Sequence, residues 1–288
     1  MAMEFLGTLL KVTLVIFMVG NLLDMGLRLR LAEALRDLRN VRFVLASLAW
    51  GFVLLPALAY AIASLFPVAH PYAMGLILLG MTPCAPFLPP MVDRAKGDLG
   101  YAAAFMLLAA VVTVAAMPFA VPHLVAGLST DAWTIARPLV LFLLVPLLVG
   151  LALQRHAASA AARLEPWIKK LTGLDTVAML MLCILVYGEG FLSLMGSYAI
   201  GAQLVFFSAA TVLPYVFGFG LAREQRIVVS LGMATRNLGA AFAPLFAVPG
   251  VDHRAIVMVA LGVLMQASFS FAAATFYGRH TRGGTGPA

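Results

Sequence analysis

Thr235, Arg236 and Asn237 stand together in GMATRNLGAAFAP (Gly232 to Pro244), with the apolar run RIVVSLGM before them and LGAAFAPLFAV after. A guanidinium offers a fixed fork of N–H donors that suits a carboxylate or sulfonate, and the adjacent hydroxyl and carboxamide add short-range polar contacts. On an apolar segment this trio reads as a site for a small organic anion. A second group lies far away in the chain, where Thr82, Pro83 and Cys84 open a segment with four prolines in eight residues, Pro83, Pro86, Pro89 and Pro90. Glu189, flanked by Gly188 and Gly190, is the candidate carboxylate for carrying a proton. Each has a plainer reading. Arg236 would pair with Glu189 or Asp175 as a buried ion pair, Cys84 would be a small apolar filler, and Glu189 would simply reach water at a helix end. Asn21, Asp24 and Lys11 read as polar lining or helix ends.

The elements that must position these residues are membrane helices. The chain has 288 residues, of which 63% are hydrophobic and 11% charged, where an ordinary soluble domain carries about 25% charge. No polar stretch is long enough to make a soluble domain, and the apolar residues run on without the alternation of a β-barrel strand. A span needs about 20 apolar residues. On that ruler nine spans are expected, over residues 4–27, 43–66, 72–92, 99–121, 135–154, 172–195, 200–221, 226–247 and 254–277. The first lacks a basic leader and a small-residue cleavage site, so it is expected to be a retained helix. Gln154 to Leu171 reads as an interfacial amphipathic stretch anchored by Trp167, and residues 279–288 read as a disordered tail. Cys84 and Cys183 form no disulfide or zinc pattern.

The charges test the count. Fifteen of the 19 basic residues fall at the ends that follow odd-numbered spans, only Arg137 and Arg254 fall at the opposite ends, and Lys11 and Arg236 lie inside spans. The positive-inside rule then puts the N-terminus outside and the C-terminus in the cytoplasm of a multi-pass protein of the inner (plasma) membrane. The net charge of +7 is accounted for by topology and calls for no nucleic-acid partner; the partners are the lipid bilayer and the anion.

Two stretches echo each other. Leu79-Gly80-Met81-Thr82 in span three matches Leu231-Gly232-Met233-Ala234 in span eight, and the preceding spans carry mid-span prolines at Pro56 and Pro214. The members of each pair are five spans apart, so the copies enter the membrane from opposite sides, as in the inverted repeats of secondary transporters. Spans one to four would match six to nine. Four prolines cannot sit in a continuous helix, because each removes a donor and clashes one turn back. Span three must therefore break, and unwound backbone at membrane depth survives only where protein buries it or a wet cavity meets it.

Taken together, the nine spans, LLGMTPCAPFLPPMVDRAKGD, VSLGMATRNLGAAFAPL and the run MVGNLLDMGLRLRLAEAL resemble the bile acid:sodium symporter superfamily over nearly the whole chain. The resemblance implies one transmembrane domain over residues 1–288 with interleaved core and panel parts, the core holding two crossing discontinuous helices, here three and eight. Members with ten helices have one more at the start. The sequence departs from sodium-coupled members at the ion site. Leu88 and Pro89 stand where those members have a Ser-Asn pair, and Ala234 and Thr235 where they have Gln-Asn. Thr82, Thr113, Ser230, Thr235 and Asn237 remain as oxygen donors for a rebuilt site, so Glu189, Ser230 and Thr113 are the candidate ion-coupling residues. Related arsenite permeases place a cysteine after a proline in this broken helix, as Pro83-Cys84 does, but also use a buried acid that is missing here.

The expectation is an all-α secondary transporter for a small organic anion, with Arg236, Asn237, Thr235, Thr82, Pro83 and Cys84 at the midplane site and sodium or a proton as coupling ion. No other cofactor and no metal site is expected. The rival within the superfamily is an arsenite or metalloid permease. A membrane-embedded enzyme lacks support, since His70, His123, His156, His253 and His280 all fall at loops or ends and form no metalloprotease motif.

Overall fold

The computed structural model describes residues 2–125, 127–128 and 131–280, and among them every regular element is a helix. In chain order these are α1 (Ala2–Arg28), α2 (Leu31–Asp37), α3 (Val41–Leu65), α4 (His70–Met81), α5 (Leu88–Arg94), α6 (Leu99–Leu124), α7 (Ala132–His156), α8 (Ala158–Leu192), α9 (Ala199–Val216), α10 (Arg223–Ala234), α11 (Leu238–Ala247) and α12 (His253–His280). Seven of them, α1, α3, α6, α7, α8, α9 and α12, are long and apolar enough to cross a membrane. The residues of spans three and eight form two helices each, α4 with α5 and α10 with α11.

Local chemistry accounts for most of the boundaries. Asn40 caps α3 by accepting from the amide of Phe43, Asp98 caps α6 by accepting from Gly100 and Tyr101, and Asp131 caps α7 by accepting from Thr134. Each of α3 and α7 carries one π-helical turn, Trp50–Leu54 and Val140–Leu144, and each turn lies just before a proline, Pro56 or Pro146. A proline inside a helix clashes with the carbonyl four residues back, and one extra residue in the turn relieves it. α4 stops at Met81, ahead of Pro83, and α5 restarts at Leu88 so that Pro89 and Pro90 fall in its first turn, where their missing donors are not needed.

Three expectations change. Gln154 to Leu171 is not a separate interfacial stretch: only Ala157 leaves helical geometry within it, and helix runs on from Ala158 to a kink at Tyr187 and ends at Leu192. Pro166 and Gly173 lie within it without ending the helix, and Arg28 of α1 reaches Glu165 at 3.7 Å. Span seven ends early, at Val216, because Gly218 and Gly220 open a loop in which Phe219 and Gly220 take left-handed backbone. Of the expected tail, Arg279 and His280 are the last residues of α12, and residues 281–288 lie outside the described residues.

α1 packs mainly against α7 and α8, whereas α4 packs against α3 and α12, and α9 against α10. The α1–α7 contact is backbone to backbone. A Cβ built on Gly26 would lie 2.5 Å from the Leu147 carbonyl oxygen and 2.9 Å from the Gly150 Cα, and one built on Gly150 would lie 2.6 Å from the Leu23 oxygen. Small residues that let two backbones approach are a common basis of helix association in membranes.

Candidate functional site

The breaks in the two split spans meet. Pro83 and Arg236 form an isolated antiparallel bridge. The Asn237 amide donates to the Thr82 carbonyl at 2.8 Å, and the Cys84 amide donates to the carbonyls of both Gly232 (3.0 Å) and Thr235 (2.9 Å). The Ala85 amide donates to the Thr235 hydroxyl oxygen at 3.2 Å. Unwound backbone in lipid must satisfy its polar groups internally, and here each break supplies the other's partners.

Cys84 owes its place to this backbone arrangement. Its φ of 73° lies in the left-handed region, which costs a non-glycine residue roughly 1–2 kcal/mol. Its thiol is buried, with a long 3.7 Å contact to the Ala85 carbonyl, and it lines none of the described cavities. Among the described residues no group of three His, Cys, Asp or Glu side chains is placed to hold a metal. Cys84→Ser is expected to leave uptake within about twofold of wild type, and Cys84→Gly to raise the melting temperature by a few degrees, the gain of removing a left-handed non-glycine residue. Uptake and thermal melting of the purified protein check both.

Asn237 is the N-cap of α11, its side-chain oxygen accepting from the Ala240 amide at 3.1 Å. Arg236 is 0% exposed. Its backbone amide donates to the Gln266 side-chain oxygen of α12 at 2.6 Å, and its guanidinium is held by a 3.5 Å bond from Nη1 to the Gly80 carbonyl and by the face of Phe206, 5.0 Å from the ring centroid. Nε and Nη2 have no hydrogen-bond partner, and no carboxylate of the described residues pairs with this side chain. The plain ion-pair reading with Glu189 or Asp175 is therefore not what the structure contains. Burying an unpaired guanidinium costs several kcal/mol unless the surroundings supply negative potential.

The remaining candidates lie apart. Ser230 is fully buried one turn before the break and is spent on structure, donating to the Thr211 carbonyl at 2.6 Å and sharing a 2.8 Å contact with the Tyr277 hydroxyl. Thr113 is buried on α6 with its hydroxyl unpartnered. Glu189 does not have the buried setting that its flanking glycines suggested. It is exposed in a hollow with Tyr187 and His253, because α8 leaves regular helix at Tyr187 as it approaches its end.

A cavity of about 100 Å³ lies against the crossing. Asn237, Leu238 and Gly239 bring the start of α11 to it, Arg236 and Gln266 border it, and Asn21 of α1 and Thr176 of α8 face it from the other side. The first amides of a helix lack intrahelical partners and carry the positive end of its dipole. The cavity thus offers an anion the start of α11 and three side-chain amides, whereas the Thr176 hydroxyl is already donated to the Thr172 carbonyl at 2.7 Å. Gln266 and Thr176 were not singled out in the sequence; a lone Gln in the apolar run VLMQASFSF is the signal that could have found the first. A larger groove of about 540 Å³ adjoins it, with Met18 in both walls. Its lining is apolar, including Trp133, Phe142 and Phe246, apart from Thr134 and two exposed cations, Lys11 and Arg137.

A family model described as the sodium bile acid symporter family matches residues 13–197, well over half of the chain. The protein belongs to that family. None of the curated proteins compared matches the chain. The match ends before α10, so the second break of this symporter-family member, with Arg236, is described by the structure alone. Members of the family are membrane transporters, and the helical architecture with seven candidate spans accords with a multi-pass membrane protein.

Proposed function

We propose that the protein is a secondary transporter that carries a small organic anion across the membrane by alternating access. One observation carries this reading: a small cavity with mostly apolar walls and a cluster of polar groups, Asn21, Asn237 and Gln266 among them, opens at the amide end of α11, beside a buried guanidinium that has no carboxylate partner. Charge of one sign without its counter-ion, next to a cavity at an irregular crossing in the membrane, marks a pathway for the opposite sign.

In this reading α4 with α5 and α10 with α11 each count as one broken crossing, which with the seven long helices makes nine. The two copies of the repeat start at α1 and α8. In support, each broken crossing begins with a helix of 12 residues and follows a helix with an internal proline. α1, α7 and α8 form the panel, and the remaining helices the core that moves against it. The cavity lies between the two groups. The basic residues orient the C-terminus to the cytoplasm of the plasma membrane, which makes the groove of Lys11 and Arg137 the outer approach. Its apolar walls with two cations suit an anion that has an apolar body. The Lys11→Gln, Arg137→Gln double variant is expected to raise KM for uptake about five- to tenfold with little change in the maximal rate, because the pair attracts the anion before the transported state forms.

The test is uptake into proteoliposomes of a pool of labelled organic acids and organic cations. Selective uptake of acids, lost in Asn237→Ala, supports the proposal; uptake of cations or of no solute sinks it.

A further inference from the structure

The two helices that lead into the crossing both end there on their carbonyls. α4 stops at Met81 and α10 at Ala234, and the hydrogen bonds that join the breaks bring these two ends together. A helix C-terminus carries negative potential, and half-helix carbonyl ends in transporters are places where a cation from solution is held. Here a side chain is already in that place. The Arg236 guanidinium bonds the Gly80 carbonyl, one residue from the end of α4, and lies over the Phe206 ring, whose face is also negative.

We infer that Arg236 is a built-in cation that fills the position a coupling cation would occupy, so that transport does not require sodium. This rests on the proposed function for the transport part only. The residues at the crossing do not fit a sodium ion, which needs several hard oxygen ligands turned toward it. The Thr82 hydroxyl, donating to the carbonyls of Leu78 and Leu79, keeps its lone pairs and counts as one ligand, and the Thr235 hydroxyl, donating to Leu231 and Gly232 while accepting from Ala85, has one lone pair left. The Asn237 oxygen is taken by Ala240. Leu88, Pro89 and Ala234 carry no side-chain oxygen. The unpartnered oxygen of Thr113 on α6 is a single ligand. A second cation would also meet the guanidinium's own charge at short range in a low-dielectric interior.

The assignment separates two roles within one crossing. The Gly80 carbonyl and the Phe206 ring hold the guanidinium, and the amide end of α11 faces the cavity that Arg236 also borders, so the anion gains from the positive charge without having to bond it. Direct contact with the guanidinium, the simplest reading of the sequence, is not needed.

Two measurements decide it. The melting temperature of the purified wild-type protein is taken in sodium chloride, potassium chloride and choline chloride at equal ionic strength, and the expected values agree within about 1 °C, because an ion that does not bind the folded state does not stabilise it. A saturable, sodium-specific rise of about 3 °C or more overturns the inference, whether or not any anion is carried. In proteoliposomes, the rate of anion uptake is expected to stay within about twofold when choline replaces sodium, and a tenfold loss overturns it. If no organic acid is taken up in any medium, the proposed function fails, and the melting comparison still decides whether the crossing binds sodium.

Discussion

Arg236→Gln is expected to lower anion uptake about ten- to thirtyfold while the protein still inserts and folds. The size follows from Coulomb's law: at an effective dielectric of about 20, a unit charge within about 10 Å of the anion is worth roughly 1.5–2 kcal/mol, or about a factor of 10–30. Folding survives because the links between the two breaks run through backbone, from Asn237 to Thr82 and from Cys84 to Gly232 and Thr235. Removing the charge also removes an unpaired buried guanidinium, so the melting temperature is expected to hold or rise. Arg236→Lys keeps the charge on a shorter stem without the planar fork, and its uptake is expected to fall between the other two. Initial rates in proteoliposomes, normalised to inserted protein, check the series. Equal uptake by wild type and Arg236→Gln contradicts the electrostatic role.

The largest expected effect on stability comes from Gly26→Val. The added Cβ would meet the Leu147 oxygen at 2.5 Å and the Gly150 backbone at 2.9 Å. These atoms belong to α7 and cannot turn aside as a flexible side chain does, so α1 and α7 must separate. Overpacking of this kind costs typically 1–3 kcal/mol and more where backbone has to move. A melting temperature lower by at least several degrees is expected, with Gly150→Val matching it from the other helix. Gly173, around which a Cβ meets nothing within 4 Å, is the control on which Ala is expected to hold or raise the melting temperature, since alanine favours helix over glycine.

What could be read from the sequence follows from how locally each feature is determined. Apolar runs bounded by charge located the helices, because lipid imposes its length requirement residue by residue. The break after Met81 was legible because proline excludes a continuous helix on covalent grounds. The break after Ala234 was legible only through the polar trio, since no proline lies between Gly232 and Leu238. Other features depend on tertiary placement. Whether Arg236 had a carboxylate partner was undecidable from spacing, because Glu189 and Asp175 lie on a helix that sequence cannot orient. The structure leaves Glu189 exposed and the guanidinium on a carbonyl and a ring. The Gln154 to Leu171 stretch misled because polarity there marks a helix continuing past the apolar region, with α1 tied to it by Arg28 and Glu165. The contribution of Gln266 was hidden for the same reason: a single amide in an apolar run gains meaning only when its oxygen is found on the Arg236 amide.

The most direct test of the account is solute counterflow. Proteoliposomes loaded with an unlabelled organic acid from the transported set are diluted into a trace of the labelled acid, with no ion gradient and no membrane potential. A carrier with one cavity open to alternate sides is expected to accumulate label transiently above its equilibrium level, and the Arg236→Gln protein to show that overshoot much reduced. A simple monotonic rise to equilibrium, equal in the two proteins, would contradict both alternating access and the role of the buried guanidinium.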